Sequence, residues 1–353
     1  MIEKNEKTGI NDIARLAKVS KATVDRVLYN RGRVSEETRE KILSICEDLN
    51  YQPNILAQRL ASDKVYKLAV LIPEYSRDNP YWKYPLKGIE YAEKEVESFG
   101  ITIKKYFYDL KDINSFRKES LQILTSKPDG VVFAPEFKRE SKEFSKKCAH
   151  NNIPYIFIDS NLPKQHNLSY FGQNTYQGGY LAGKLLSFHL NRYSEIIILN
   201  FANELENYPH FMDREKGMRD YFTNHRFHGK IITLNIPPDQ EIELKEIIKG
   251  KLHRRTRGLF ITSSAHKVAR QIQKIGKGNL LIIGYDLTTP NVKYLENGVI
   301  DFLICQKPVT QGYLAINALF DHLVQKKDIQ KENFMPIEIV AKENYLYYLD
   351  SNN

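Results

Sequence analysis

The chain has 353 residues, 42% of them hydrophobic, with 52 lysines and arginines against 43 acids and a formal net charge of +9. That length supports two or three folding units with sizeable cores, the apolar content is that of a soluble globular protein, and no stretch approaches a membrane span. Three widely spaced cysteines, Cys46, Cys148 and Cys305, offer neither a disulfide framework nor a metal-ligand spacing; with a charged, non-apolar N-terminus they suit a reducing cytoplasm and predict no metal and no cofactor.

Residues 1–8 read as a frayed tail. Ile10, Ile13, Ala14 and Ala17 then recur at helical spacing, and Ser20 is a natural N-cap for a second helix. In that helix Val24, Val27 and Leu28 share one face. Lys21, Asp25 and Tyr29 line another, with Ala22 and Arg26 beside them. One face packs while the other offers charge, a small residue and a ring, which is what a helix reading the major groove needs. Between Arg15 and Arg33 stand six basic residues and one acid, Asp25, although residues 1–64 as a whole carry twelve basic and ten acidic side chains. The positive charge is therefore focused on the helix-turn-helix pattern, as a phosphate-binding footprint would be. Ser35 caps a third helix, Glu36 and Glu37 complement its dipole, and Ile42, Ile45 and Leu49 supply its packing stripe. Tyr51-Gln52-Pro53 ends it, and Asn54 can cap a short segment too small to be helical alone in water.

Three consecutive stretches, VSKATVDRVL (19–28), VSEETREKI (34–42) and LNYQPNILAQRLA (49–61), resemble the head of the lactose/galactose-repressor (LacI/GalR) family in order and spacing. The resemblance continues more weakly towards the C-terminus. It implies a small all-α helix-turn-helix head over residues 1–53 and a hinge helix or linker over 54–65. A two-lobed α/β effector and dimerisation domain of parallel sheets, of the type I periplasmic-binding-protein fold, would then fill 66–353. Lys21, Ala22 and Arg26 are the expected base-edge contacts, with Arg26 on guanine the strongest. Ser20, Thr23, Arg31, Arg33, Ser35 and Thr38 would hold phosphates. Leu60 matches the residue that two paired hinge helices press into the minor groove, where an apolar wedge kinks the duplex. Asp25 and Tyr29 depart from the residues frequent at those positions, so the operator sequence is not carried over.

From Lys67 onward short apolar runs alternate with amphipathic helical patterns. Strands are expected at KLAVLI (67–72), ITIKKYFY (101–108), GVVFA (130–134) and PYIFI (154–158), with helices near 80–98, 112–126 and 137–151. A second series starts near Glu195, with strands at 196–200, 230–234, 258–262, 280–285 and 301–305. Two such series predict two lobes, each a parallel sheet covered by helices; the resemblance adds three crossovers between them. Ligands of open parallel sheets bind beyond the carboxyl ends of the strands. The polar residues at those ends are Asp159, Asp286 and Gln306, with Asn79, Tyr81 and Trp82 after the first strand and Arg214 on a helix of the second lobe. They largely coincide with sugar-contacting positions of related repressors and sugar-binding proteins. Carboxylates, amides and a planar guanidinium bridge neighbouring hydroxyls, and aromatic rings cover a sugar's C–H face. Ser263-Ser264, then Ala265-His266, stand where relatives commonly carry Asn-Asp, which leaves the particular sugar open.

GGYLAGKL (178–185) approaches a phosphate-loop pattern but lacks the hydroxyl after Lys184 and lies in a helical pattern, so close packing is its expected role. No catalytic motif appears, and an enzyme is not expected. The predicted function is a homodimeric regulator, a repressor, that binds double-stranded operator DNA under control of a sugar-like effector. The alternatives are a nucleobase or other non-sugar corepressor and, ranked lower, a ligand-modifying enzyme.

Overall fold

The computed structural model describes residues 9–28, 32–49, 51, 65–76, 79–202, 208–237 and 243–349. The expected tail at 1–8, the hinge segment and the predicted DNA contacts Tyr29, Arg31, Asn54 and Leu60 lie outside the described residues. The chain divides into a small unit, essentially residues 1–64, and a large unit that begins at Val65.

Among the described residues the small unit holds three helices, α1 (Ile10–Ala17), α2 (Lys21–Leu28) and α3 (Glu36–Asp48). Helix α1 starts where the Gly9 N–H donates to Asp12 Oδ2 at 3.0 Å, and it stops at Lys18, whose left-handed backbone (φ 57°) turns the chain into α2. Ser20 does cap α2, accepting from the Thr23 N–H at 3.2 Å, and Ser35 caps α3, accepting from Thr38 at 3.4 Å. Ile13, Val24 and Ile42, one from each helix, are wholly buried and meet Ala14, Ala17 and Val27 in one core. At roughly 1.5–3 kcal/mol per buried aliphatic side chain, these few residues carry most of the unit's stability.

The large unit contains two six-stranded sheets. In the first lobe the order is β11-β5-β4-β3-β1-β2, from β1 (Tyr66–Pro73), β2 (Ile101–Tyr108), β3 (Gly130–Phe133), β4 (Tyr155–Asp159), β5 (Ser169–Gln173) and β11 (Glu332–Met335); every pairing is parallel. In the second lobe the order is β12-β10-β9-β8-β6-β7, from β6 (Glu195–Phe201), β7 (Lys230–Ile236), β8 (Thr256–Ile261), β9 (Leu281–Tyr285), β10 (Phe302–Cys305) and β12 (Glu338–Val340). Only β12 runs antiparallel there. The chain passes between lobes after β5, after β10 and between β11 and β12, the three expected crossovers. No helix among the described residues is long and apolar enough to cross a membrane.

Strands β5, β11 and β12 depart from the sequence reading: they are three to five residues long, and β11 and β12 are the part-exposed edges of their sheets. The second strand series begins at Glu195, as expected, and a helix of the same lobe precedes it. Helix α7 (Thr175–Ser187) packs on its sheet through Ala182, Leu185 and Leu186. The glycine-rich run lies within α7, and its role is close approach. A Cβ on Gly179 would stand 1.9 Å from the Arg214 carbonyl oxygen of α8 (Pro209–Asn224), and one on Gly217 of α8 would stand 2.0 Å from the Tyr176 oxygen of α7. The first lobe repeats the device between α4 (Lys83–Val96) and α12 (Pro308–Leu323), where Gly88 meets Val309 and Gly312 meets Pro85. Each lobe thus seats one helix pair backbone to backbone.

Candidate functional site

A cavity of about 500 Å³ opens beyond the carboxyl ends of both sheets, within the roughly 300–1,000 Å³ range of small-molecule sites. All eight residues predicted to bind an effector line it: Asn79, Tyr81, Trp82, Asp159, Arg214, Ser263, Asp286 and Gln306. The topology explains the convergence, because parallel strands deliver every C-terminal residue to the same end of a sheet. Asp159 ends β4 at φ 64° and Asp286 follows β9 at φ 70°. A left-handed residue with a side chain costs on the order of 1 kcal/mol, so a glycine would be easier at both points unless the carboxyl is used.

Arg214 is the hub of the second-lobe wall. It is 2% exposed. Its Nη1 donates to the Thr262 carbonyl at 2.6 Å and its Nη2 to Gln306 Oε1 at 2.8 Å. Gln306 in turn donates to Asp286 Oδ1 at 2.8 Å. The guanidinium carbon lies 3.7 Å above the Tyr285 ring, which favours a flat, polarisable cation over an ammonium. Arg214 Nε is buried and has no hydrogen-bond partner among the described residues, and an unpaired buried donor costs about 1–3 kcal/mol. The Asn291 amide donates to the Tyr285 and Asp286 carbonyls at 2.8 Å each, and its oxygen accepts the His266 N–H at 2.8 Å. His266 lines the cavity from the first turn of α10 (Ala265–Ile275).

The first-lobe wall is acidic. Tyr81 donates a short hydrogen bond to Asp159 Oδ1, and its ring meets Trp82 edge to face at 5.2 Å. Asp159 is fixed through its backbone, the N–H donating to Gln311 Oε1 at 3.0 Å and the carbonyl accepting from Tyr170 at 2.9 Å. Gln311 also donates to the Gln306 carbonyl at 2.8 Å, so it joins the end of β4 to the crossover after β10. Burial pushes the Asp159 carboxyl up, against the pull of Tyr81 and Arg214. Burial also pushes Asp286 up to about 7, with Arg214 and Gln306 opposing. Among the contacts that bridge the lobes, the Thr289 N–H donates to Tyr84 Oη at 3.1 Å, Ser160 Oγ lies 2.9 Å from His210 Nδ1 of α8, and the Gln173 amide donates to the Cys305 carbonyl at 3.0 Å.

Sequence reasoning missed Glu136, Ser160 and His210. Glu136, 4% exposed, accepts from Ser160 Oγ at 2.9 Å. Burial, then the Asp159 charge, pushes its carboxyl up to about 8. His210 is held neutral, its pKa driven well down by burial and by Arg214. Glu136 stands three residues past β3, so the strand-end rule could have found it. His210 follows a loop whose length carried no such signal.

The small unit carries the second candidate face. Lys21, Ala22 and Arg26 of α2 are exposed, Thr23 and Asp25 are half-exposed, and Val24 and Val27 point into the core. Ser20 and Thr23 pair their hydroxyls at 2.9 Å, as do Ser35 and Thr38 at 2.7 Å, and Arg33 is exposed. The helix-turn-helix geometry and the half-exposed polar face are thus as the spacing predicted.

Residues 9–54 match the family of bacterial regulatory proteins, lacI family, and residues 69–327 match the periplasmic binding protein domain. The chain belongs to the LacI family. The LacI-family sequence is 24% identical over 344 residues to the sucrose operon repressor of Streptococcus mutans, 95% of this chain and 98% of that one. It is 32% identical over 158 residues to the HTH-type transcriptional regulator DegA of Bacillus subtilis, a match that spans less than half of either protein, 44% of this chain and 45% of DegA. A crystal structure from Bacteroides fragilis, assigned as a LacI transcriptional regulator, superposes with a TM-score of 0.76 at 33% identity, covering 81% of this chain and all of that one.

Proposed function

We propose that this LacI-family chain is a homodimeric, sequence-specific repressor whose affinity for operator DNA is set by a sugar or sugar derivative held between its two lobes. The observation that carries this reading is the convergence of Asp159, Asp286, Gln306 and Arg214, from both lobes and one crossover, on one cavity sized for a small molecule. Carboxylate, amide and guanidinium together match the alternating donors and acceptors of vicinal hydroxyls. The full-length relative from Streptococcus mutans, a sucrose operon repressor, supports the same class of effector.

In this reading Lys21, Ala22 and Arg26 reach base edges while Ser20, Thr23, Arg31, Arg33, Ser35 and Thr38 hold phosphates. The effector acts by binding one arrangement of the lobes better than another, and it shifts DNA affinity only by that difference. A thermal-shift panel of neutral and substituted monosaccharides tests it. A bound sugar at 100 times its Kd adds about 2.7 kcal/mol of stability, and Arg214→Ala is expected to erase that gain. Stabilisation by nucleobases and by no sugar would replace the effector class while leaving the DNA-binding reading in place.

A further inference from the structure

The Ser160 hydroxyl reaches two carboxyls at once, Glu136 Oε1 at 2.9 Å and Asp159 Oδ2 at 3.4 Å. Both acids are buried, both line the cavity, and neither forms an ion pair with a described residue. Two carboxylates sharing one hydroxyl cannot both ionise cheaply without a cation between them. Among the described residues the cation whose charge pulls both carboxyls down is Arg214. Arg214, the buried cation of the cavity, already serves Thr262 and Gln306. Tyr108 and Tyr208, which also face Glu136, are held neutral because burial and the Glu136 charge push both upward. His210 is neutral as well. Lys111 and Lys267 also line the cavity, on the β2–α5 (Ile113–Ser126) loop and on α10, and the Lys267 ammonium lies over the Phe201 ring at 5.6 Å.

We propose that the cleft selects a sugar bearing a primary amine, its ammonium seated against Glu136 and Asp159. This rests on the reading of the cavity as a sugar site and names the class of sugar. An ammonium offers three donors and the missing positive charge. Behind it the Glu136 carboxylate accepts from Ser160, and the His210 Nδ1–H donates to Ser160, so a chain of three groups points its donors at the negative end. An anionic sugar, a uronate or a phosphate, would set its own charge against the buried carboxyls of Glu136 and Asp159 and is disfavoured there.

The test uses full-length protein and two sets of probes. Calorimetry at neutral pH compares D-glucosamine, D-galactosamine and D-mannosamine with glucose, galactose and mannose. In parallel, carbon-13 NMR of protein labelled at glutamate carboxyls follows the Glu136 signal during titration with ethanolamine or ethylene glycol. Its signal is assigned by loss in Glu136→Gln, or by its loss in Glu136→Asp should the amide fold poorly. The expected result is an amino sugar that binds about tenfold or more tightly than its hydroxyl counterpart, a preference erased in Glu136→Gln, and a Glu136 titration moved to lower pH by ethanolamine alone. A hydroxyl sugar that binds as tightly as its amine overturns the inference and leaves the sugar reading standing. Indifference of the Glu136 signal to ethanolamine overturns it whether or not any sugar binds. An ethanolamine response with no sugar bound supports the amine site and removes the sugar reading instead.

Discussion

Arg214 and Glu136 face the same cavity under opposite conditions: the first is stacked and hydrogen-bonded within the protein, the second is a buried acid held by Ser160 and in no ion pair with a described residue. Arg214→Ala is expected to abolish the ligand response while operator binding survives, measured by thermal shift and by a mobility-shift assay on the same preparation. Loss of operator binding in a folded variant would show that the two units do not work separately. For Glu136 the sign follows from its raised pKa. The stabilisation of the folded state is full below the ordinary carboxyl range near 4.5 and is lost as pH rises towards about 8. The slope is at most about 1.4 kcal/mol per pH unit. Denaturant melts between those limits are therefore expected to show stability falling with pH, and Glu136→Gln to flatten that fall; parallel slopes in the two proteins would remove Glu136 as its source. On the DNA side, Arg26→Ala is expected to relax sequence preference by about 1–3 kcal/mol at one base pair, read as a changed binding-site profile. Much of this was legible in the chain. Asp159, Asp286 and Gln306 terminate apolar runs and were found by that fact alone. Ser160 and His210 were not, because their importance lies in a hydrogen bond between lobes that no local pattern records.

Among the elements, the pairing of α7 with α8 decides where Arg214 sits. Reciprocal glycines let the two backbones touch, and the sequence reading that assigned GGYLAGKL to packing agrees with this contact. Gly179→Ala places a methyl 1.9 Å from the Arg214 carbonyl; the helices must separate, at about 1–3 kcal/mol, and the guanidinium moves with its helix. A lower Tm together with weakened ligand binding is the expected outcome, and an unchanged Tm would contradict the close approach. The head is legible for a different reason. Its helices announce themselves by caps and an apolar stripe, and Ser20, Ser35, Val24 and Ile42 all take the places their spacing implied. Strand β5 escaped notice because its five buried residues include Ser169, Gly172 and Gln173 and so make no apolar run, and β11 and β12 because short, part-exposed edge strands carry too few apolar residues to form a pattern. Val24→Asp buries an unpaired charge in a core of a few side chains, and is expected to melt α1–α3 while ligand binding by the large unit persists.

At the scale of the whole molecule, a LacI-family head of three helices is joined to a two-lobed unit in which three crossovers let one cavity be built from both sheets. Closing contacts such as Tyr84 with Thr289 and Ser160 with His210 exist only when the lobes are near each other, so a ligand that favours nearness biases the arrangement of the whole unit. Recognition of duplex DNA under the control of a small molecule is the central claim. It is tested most directly by selecting bound sequences from a random duplex library with the full-length protein, with and without the panel of amino and neutral sugars. The account predicts enrichment of a roughly palindromic site, with half-sites about one helical turn apart, whose affinity changes when one of the sugars is added. Recovery of unenriched sequence under every condition would contradict it.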